Sequence, residues 1–303
     1  MTEPIDLTSE TVAAAWRDHH RHLLNLAYRM LGSVTDAEDA VQDGFARLLR
    51  ADIDSIDDVR GWLVVVVSRL CLDQLRSARV RHEAYVGPWF PEPVIAADEL
   101  APDERVTLDD TVRMALLLVL ERLSPAERVA FILHDVFQYS FDDIARIMKR
   151  TPVACRQLAS RARRHVQNEG ASLRGTVDAV ESQRVADRFI AAASSGDLDA
   201  LLAVLDPEAA GWTDSGGMVA APRDKVIGRQ RVATRLLWWL KTFNVTLVSK
   251  PVNAGPGALA LQDGEVIAAL TISIDNGLIT ELTSIANPEK LAYVKAALNG
   301  RAV

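Results

Sequence analysis

The sequence predicts a multidomain protein in which two all-α domains are followed by an α+β domain. Three observations carry this. At 303 residues the chain is about twice the usual single-domain length of roughly 150. Apolar residues recur at three and four as far as about residue 168, whereas short alternating runs dominate the last third. Between the two helical stretches, Gly87-Pro88-Trp89-Phe90-Pro91-Glu92-Pro93 interrupts the pattern, because proline removes a backbone donor and restricts the residue before it. The boundaries that follow are residues 1–84, a linker over 85–107, residues 108–170, and residues 171–303.

In the first domain, Leu23, Leu24, Ala27, Tyr28 and Leu31 mark one helix face. Thr35 and Glu38 have capping-box spacing, which predicts a helix from about Asp36 to Leu49. After a polar break at Ile53 to Asp58, Gly61 to Arg79 reads as a helix. Its run Leu63-Val64-Val65-Val66-Val67 suits a strand, but Leu70, Leu72 and Leu75 extend the apolar pattern past strand length. In the second domain, Ser124-Pro125-Ala126-Glu127 has the N-cap, N1 and N3 residues of a helix start. Farther on, Ser140 caps a helix over Phe141 to Met148, and Thr151-Pro152 opens another after Lys149-Arg150, which is helix-turn-helix spacing. On that second helix Ala154, Leu158, Ala162 and Val166 face the core, leaving Arg156, Ser160, Arg163 and Arg164 outside. The last domain has helices over Val180 to Ser194 and around Leu198 to Leu205. Short β-rich runs follow, with hairpin turns at Asp263-Gly264 and Asn276-Gly277. Val266, Ala268, Leu270, Ile272 and Ile274 alternate as one face of a half-buried strand.

Composition narrows the function. With 49% hydrophobic and 25% charged residues, the chain is globular, and its apolar runs are too short to span a bilayer. This predicts a cytoplasmic protein with no membrane partner. Cys71 and Cys155 are the 2 cysteines. They read as buried small apolar residues, and neither a disulfide framework nor a metal site is expected. The net charge of −7 taken alone argues against nucleic acid, yet the charge is segregated. Lys149 to His165 carries Lys149, Arg150, Arg156, Arg161, Arg163 and Arg164 with no acid, and Arg69, Arg76, Arg79 and Arg81 are opposed only by Asp73. Acids concentrate instead at Asp98, Glu99, Asp103, Glu104, Asp109 and Asp110. A basic outer face on the second helix of a helix-turn-helix suits a major groove. There Arg156, Arg161, Arg163 and Arg164 can pair with guanine edges or clamp phosphates, Gln157 can pair with adenine, Ser160 can bond either, and Thr151 at the helix start can hold a phosphate.

Taken together, these pieces resemble the extracytoplasmic-function sigma factors over Val12 to about Asn168. The matching segments are Asp36-Ala37-Glu38-Asp39-Ala40-Val41-Gln42-Asp43-Gly44-Phe45, Gly61-Trp62-Leu63 leading to Leu72-Asp73-Gln74-Leu75-Arg76, and Leu123-Ser124-Pro125-Ala126-Glu127-Arg128. The linker Tyr85-Val86-Gly87-Pro88-Trp89-Phe90-Pro91-Glu92-Pro93 is similar to that of the sigma-J type subgroup, which carries a fused SnoaL-like cone, and the β-rich last third resembles that domain. The resemblance implies a sigma region 2 in which Asp36, Glu38, Asp39, Gln42, Asp43 and Phe45 dock on core RNA polymerase. In the same region, Arg69, Asp73, Arg76, Arg79 and Arg81 melt and read the −10 element. It also implies a region 4 whose helix-turn-helix reads the −35 element of promoter DNA. An intrahelical pair with Arg69 or Arg76 is the plainer reading of Asp73.

In the last domain the subgroup shows Asp, three glycines and a lysine. This chain has Asp214-Ser215-Gly216-Gly217-Met218-Val219 and so lacks the cation for a salt bridge from that loop. Asn287-Pro288-Glu289-Lys290-Leu291 matches the closing motif. From these we expect intramolecular regulatory contacts through Trp89, Phe90, Asp214, Gly216, Gly217, Asn287, Pro288 and Leu291. All 6 histidines precede residue 166, so the cone holds no imidazole base. Asp206 and Asp214 read as turn residues, and Trp212, Trp238 and Trp239 as core or interface aromatics. No catalytic residue, cofactor or metal is expected. Two other readings stay open, a helix-turn-helix regulator sensing a small molecule in the cone, and a DNA-binding domain fused to a SnoaL-like enzyme.

Overall fold

The computed structural model describes residues 7–82, 85–95, 114–168, 179–222 and 224–299. The chain divides into two compact units, one of residues 1–83 with 119–171 and the other of residues 84–118 with 172–303.

The first unit opens with α1 (Leu7–Leu31), α2 (Val34–Leu48) and α3 (Val59–His82), with a 3-10 turn at Ile53–Ser55 between the last two. The start of α2 is set by Ser33 rather than Thr35: the Ser33 hydroxyl accepts from the Asp36 amide at 3.1 Å, and Thr35 lies exposed within the helix. Both are good cap residues, but only Ser33 sits in extended backbone with its oxygen facing the free amides of the first turn. The valine-rich stretch of α3 is helical because its buried residues come in pairs, Leu63 and Val64, Val67 and Ser68, then Cys71 and Leu72. Such pairing is a helical repeat and has no counterpart in the alternation of a strand. Helices α2 and α3 approach closely at Gly44, where a Cβ would stand 2.8 Å from a Val67 methyl.

In the same unit are α5 (Pro125–Phe131), a π-helical turn at Ile132–Val136, α6 (Phe141–Met148) and α7 (Pro152–Asn168). The α5 start is the capping box expected, with Ser124 and Glu127 bonded reciprocally. Ser140 caps α6 by accepting from the Asp143 amide, and Thr151 caps α7 by accepting from the Ala154 amide. Between them Lys149 turns the chain at φ 52°. Cys155, Leu158, Ala159, Ala162 and Val166 form the buried face of α7, and Cys71 and Cys155 are both fully buried. Ala154, expected in the core, is half-buried.

The second unit holds α8 (Ala179–Ser195), α9 (Leu198–Val204), α10 (Arg229–Thr242) and α11 (Ala292–Leu298) around a six-stranded sheet. Its strands are β1 (Leu205–Asp214), β2 (Val226–Ile227), β3 (Thr246–Ser249), β4 (Gly257–Gln262), β5 (Glu265–Asp275) and β6 (Leu278–Ile285). Their order is β2-β1-β6-β5-β4-β3, with β1 and β6 parallel and the other neighbours antiparallel. Asp263-Gly264 and Asn276-Gly277 make the two hairpins, each with both residues at positive φ, as a two-residue turn matched to strand twist requires.

Helix α10 breaks the β-rich reading of this region. Val232, Ala233, Leu236, Leu237 and Leu240 give it an inner face, but Gly228 at its N-cap supplies no side-chain bond and the Trp238-Trp239 pair obscures the period. The alternation along β5 also needs correction. The register shifts where Ala260 pairs with Ala268 and Leu261 with Val266, a bulge that turns Val266 to the opposite face. Ala268, Leu270 and Ile272 pack with α8, α9 and α10. Val266 and Ala269 instead join Ile95, Val252, Leu259, Leu291, Val294 and Ala297 on the other side. Residues 85–95 therefore lie along that second face, where Phe90 packs with Met114 and Ile285. Met114 begins α4 (Met114–Glu121). No helix among the described residues is long and apolar enough to cross a membrane.

Candidate functional site

The recognition-type helix α7 presents Thr151, Arg156, Gln157, Ser160, Arg161 and Arg164 to solvent. Most of these, with Val153, line an open depression of 390 Å³. Val153 was not singled out from sequence because an apolar residue beside a cap reads as core, yet it is 58% exposed and offers a surface for a thymine methyl. The arginines are not equivalent. The Arg156 guanidinium lies over the Phe141 ring at 5.1 Å, Arg161 pairs with Glu127 at 3.0 Å, and Arg164 projects freely enough to be exposed. Arg163, expected on the outer face, is half-buried and its Nε donates to Asp135 at 2.5 Å. It lies where the outer face turns toward the π-helical turn. Burial pushes the Glu127 carboxyl up, but hydrogen bonds from the Ser124 side chain and amide, together with Arg161, outweigh it and hold the group below its ordinary value.

On α2, Asp39, Gln42 and Asp43 are exposed and Asp36 and Glu38 are half-buried. Burial, then the neighbouring Asp39, raise the Glu38 pKa. Phe45 is corrected from surface to core: it is 3% exposed, and its ring lies 4.7 Å from that of Trp16, on the same helix face as Ala37 and Val41.

On α3, Asp73 pairs with Arg76 at 3.1 Å, both exposed. Arg79 and Arg81 fall in the last turns of the helix, and their side chains lie outside the described residues. Arg69 is engaged: its Nε donates to the Ile147 carbonyl at 3.0 Å and Nη2 to the Arg146 carbonyl at 2.8 Å. Those carbonyls end α6, where no helical amide remains to satisfy them and where the helix dipole favours a cation. Two more contacts join α1 to the segment before α6. His22 Nε2 is 3.2 Å from the Tyr139 hydroxyl, and the Arg29 guanidinium lies 5.2 Å from the centre of the Phe137 ring. Burial lowers the His22 pKa, with smaller effects from nearby cations, and brings Arg29 down to about 10.

The second unit carries a buried polar cluster around Asp214. Read from sequence as a turn residue, Asp214 is instead fully buried at the end of β1. Its Oδ1 accepts from the Tyr85 hydroxyl at 2.6 Å and the Gly216 amide at 3.2 Å. Its Oδ2 accepts from the Phe90 amide at 2.8 Å and from Lys290 Nζ at 2.7 Å. Lys290 thus supplies the cation that the Asp214 loop lacks. Its ammonium also donates to the Phe90 carbonyl and lies 4.0 Å from the centre of the Trp89 ring. Asn287 Nδ2 donates to the Tyr85 hydroxyl at 2.9 Å, while its side-chain oxygen accepts from the Glu289 amide at 2.9 Å. Burial and then the bond to Asp214 raise the Tyr85 pKa.

Gly216, at φ 60°, leaves 2.6 Å between a built Cβ and Asn287 Nδ2, and Gly217, at φ 73°, leaves 3.0 Å to Val86. Only glycine fits such approaches without displacement. Phe90 meets Trp212 edge on at 5.9 Å, Leu291 is buried beside Ile95, and Pro288 is exposed. A second tie joins Val94 to Asn253 through reciprocal bonds of 3.2 and 2.8 Å. Asp206, also read as a turn residue, lies instead within β1, where the register with β6 shifts between Leu205 and Ala210 and its Oδ1 accepts from the Glu208 amide at 2.8 Å.

The matches to known proteins follow the same division. Residues 15–81 match sigma-70 region 2 and residues 113–166 match sigma-70 region 4. The chain is 42% identical over 293 residues to the probable ECF RNA polymerase sigma factor SigI of Mycobacterium tuberculosis, covering 96% of this chain and 98% of SigI. It is 38% identical over 282 residues to the ECF RNA polymerase sigma factor SigJ of the same organism, covering 89% and 90%. The crystal structure of that SigJ aligns with a TM-score of 0.75 at 33% identity, over 92% of this chain and 98% of SigJ. With two sigma-70 regions in order, an α+β domain after them and relatives that match nearly end to end, the chain belongs to the extracytoplasmic-function RNA polymerase sigma factors.

Proposed function

We propose that this sigma factor rests in a closed state in which region 2 is held on region 4, and that its SnoaL-like domain regulates initiation by holding the segment between those regions. The observation that carries the reading is Arg69. Placed among the cations that would guide the −10 strand, it gives its donors to the last carbonyls of α6, so the strand's path and the recognition unit compete for one guanidinium. The second support is the Asp214 cluster, which holds Tyr85 and Phe90 of the connecting segment through buried polar bonds.

In the open state, Asp36, Glu38, Asp39, Gln42 and Asp43 dock core RNA polymerase. Arg69, Arg76, Arg79 and Arg81 follow the −10 strand, and α7 reads the −35 element through Thr151, Arg156, Gln157, Ser160, Arg161 and Arg164. A polymerase partner sets the protein in the cytoplasm. The residue assignments put regions 2 and 4 at residues 1–84 and 108–170 and the regulatory domain at residues 171–303.

Single-pair fluorescence transfer between labels in α1 and α7 of the full chain tests this. The pair should report a short separation in the free protein and a longer one with core polymerase, and Arg69→Met should lengthen it before polymerase is added. Equal separation in all three samples would sink the closed state.

A further inference from the structure

We propose that the outer face of α10 is a binding surface for single-stranded DNA, distinct from the region 2 and region 4 surfaces. The helix Arg229–Thr242 carries Arg229, Arg231, Arg235 and Lys241 and no acid, in a protein whose net charge is −7. Its inner face is spent on the sheet through Val232, Ala233 and Leu240. Arg231, Arg235, Trp238 and Lys241, spaced at three and four, stand exposed on the other side. Trp238 is 57% exposed, and Phe243, 41% exposed, meets it edge on at 6.1 Å. Packing against Phe243 leaves an indole face open.

The cations nearer the sheet are already engaged. Lys225 pairs with Glu281 at 3.6 Å and lies over Trp212, and Arg229 donates to the Leu202 carbonyl. Arg231 and Arg235, by contrast, line an open depression of 900 Å³ together with Gln230, Thr234 and Trp238, with Asp224 the acid on its rim.

Three features choose the occupant. At a helical rise of 1.5 Å per residue, Arg231 to Lys241 extends about 15 Å. That is a few phosphates of a single strand, which can extend beyond the duplex rise of roughly 3.4 Å per phosphate. Free arginine forks clamp phosphate oxygens. An exposed indole between cations is a stacking platform, and a base presents its face only when it is unpaired. A sigma factor acts where promoter DNA is opened, so such a strand is at hand. This inference rests on membership of the family and is independent of the closed state proposed above.

The test uses the full-length protein and fluorescence anisotropy with labelled oligothymidylate and with a blunt duplex of unrelated sequence, over a series of salt concentrations. Arg231→Gln with Arg235→Gln should weaken oligothymidylate binding roughly tenfold and reduce the log-log salt slope by about 1.4, two contacts at about 0.7 each. Trp238→Ala should weaken it by a similar factor, with Trp238→Phe restoring most of the loss and duplex binding unchanged. All three substituted residues are exposed, and unchanged circular dichroism confirms folding. Wild-type affinity and slope in both variants overturns the proposal. So does equal loss on the blunt duplex, which would make the face a phosphate clamp with no stacking. Unchanged DNA binding with lost capture of core polymerase would assign the face to a protein partner and overturn it too.

Discussion

Lys290 and Asp214 form a buried ion pair at 2.7 Å, with side chains 8% and 0% exposed. Two charges this far from water are costly unless every remaining donor and acceptor is occupied. Here the Asp214 carboxylate is satisfied by Tyr85, Phe90 and Gly216 as well, and the Lys290 ammonium by Phe90 and the Trp89 ring. Removing one partner strands the other. Lys290→Met should therefore destabilise the protein by about 3 to 5 kcal/mol. Lys290→Met combined with Asp214→Asn should cost less than the sum of the two single changes. Urea denaturation of the four proteins measures the coupling, and additive losses would contradict it.

Arg156 and Arg163 should separate when substituted. Arg156→Ala should relax base preference at one position of the −35 element, at about 1 to 3 kcal/mol for the favoured base. Arg163→Ala removes the partner of Asp135 and should lower stability by about 1 kcal/mol with base preference unchanged. Shift assays over a panel of −35 variants, with melting curves alongside, distinguish them. Relaxed preference in the Arg163 variant would return that residue to the reading face.

Asp39→Lys with Asp43→Lys should abolish capture of core RNA polymerase while the helical circular dichroism stays as in the wild type, because both side chains are exposed on α2. Wild-type capture would mean that this acidic face is only solvated. Phe45→Ala should act differently, losing about 3 to 5 kcal/mol of stability because it empties a core position beside Trp16.

The Glu127 pKa lies below its ordinary value when the protein is folded. The unfolded chain therefore takes up the proton first as pH falls. The capping box contributes its full stability above the ordinary carboxylate range and loses it as pH falls through the folded pKa. Ser124→Ala should cost about 1 kcal/mol at neutral pH and progressively less in acid. Urea midpoints of the two proteins against pH should converge at the acid end, and a constant gap would exclude Glu127 as the titrating partner.

What was legible in the sequence was local. The Ser124 box, the Ser140 and Thr151 caps and both hairpin turns depend on residues within four of each other, and each formed as read. The buried face of α7 formed at Leu158, Ala162 and Val166 but took Cys155 in place of Ala154. Ser33 was missed because Thr35 satisfies the same cap pattern two residues later. Helix α10 was missed because a glycine N-cap leaves no side-chain signal. The reversal at Val266 depends on a bulge set by pairing with β4, which the alternation within one strand does not encode. The Asp214 cluster was recognised as a motif but its chemistry was not, since its cation arrives from 76 residues away. No local pattern distinguishes that aspartate from Asp206, which bonds only the nearby Glu208 amide.

The bond between Tyr85 and Asn287 joins residues 202 apart, and this separation sets an order in time. Ribosomes add about 5 to 20 residues per second, so roughly 10 to 40 seconds pass between synthesis of Tyr85 and of its last partners. Met114, Trp212 and Asp214, other partners of Phe90 and Tyr85, are made within that interval, so Asn287 and Lys290 complete a cluster already begun. A chain that ended before Asn287 would lack both the amide that bonds the Tyr85 hydroxyl and the Lys290 ammonium, leaving Asp214 a buried carboxylate with no cation.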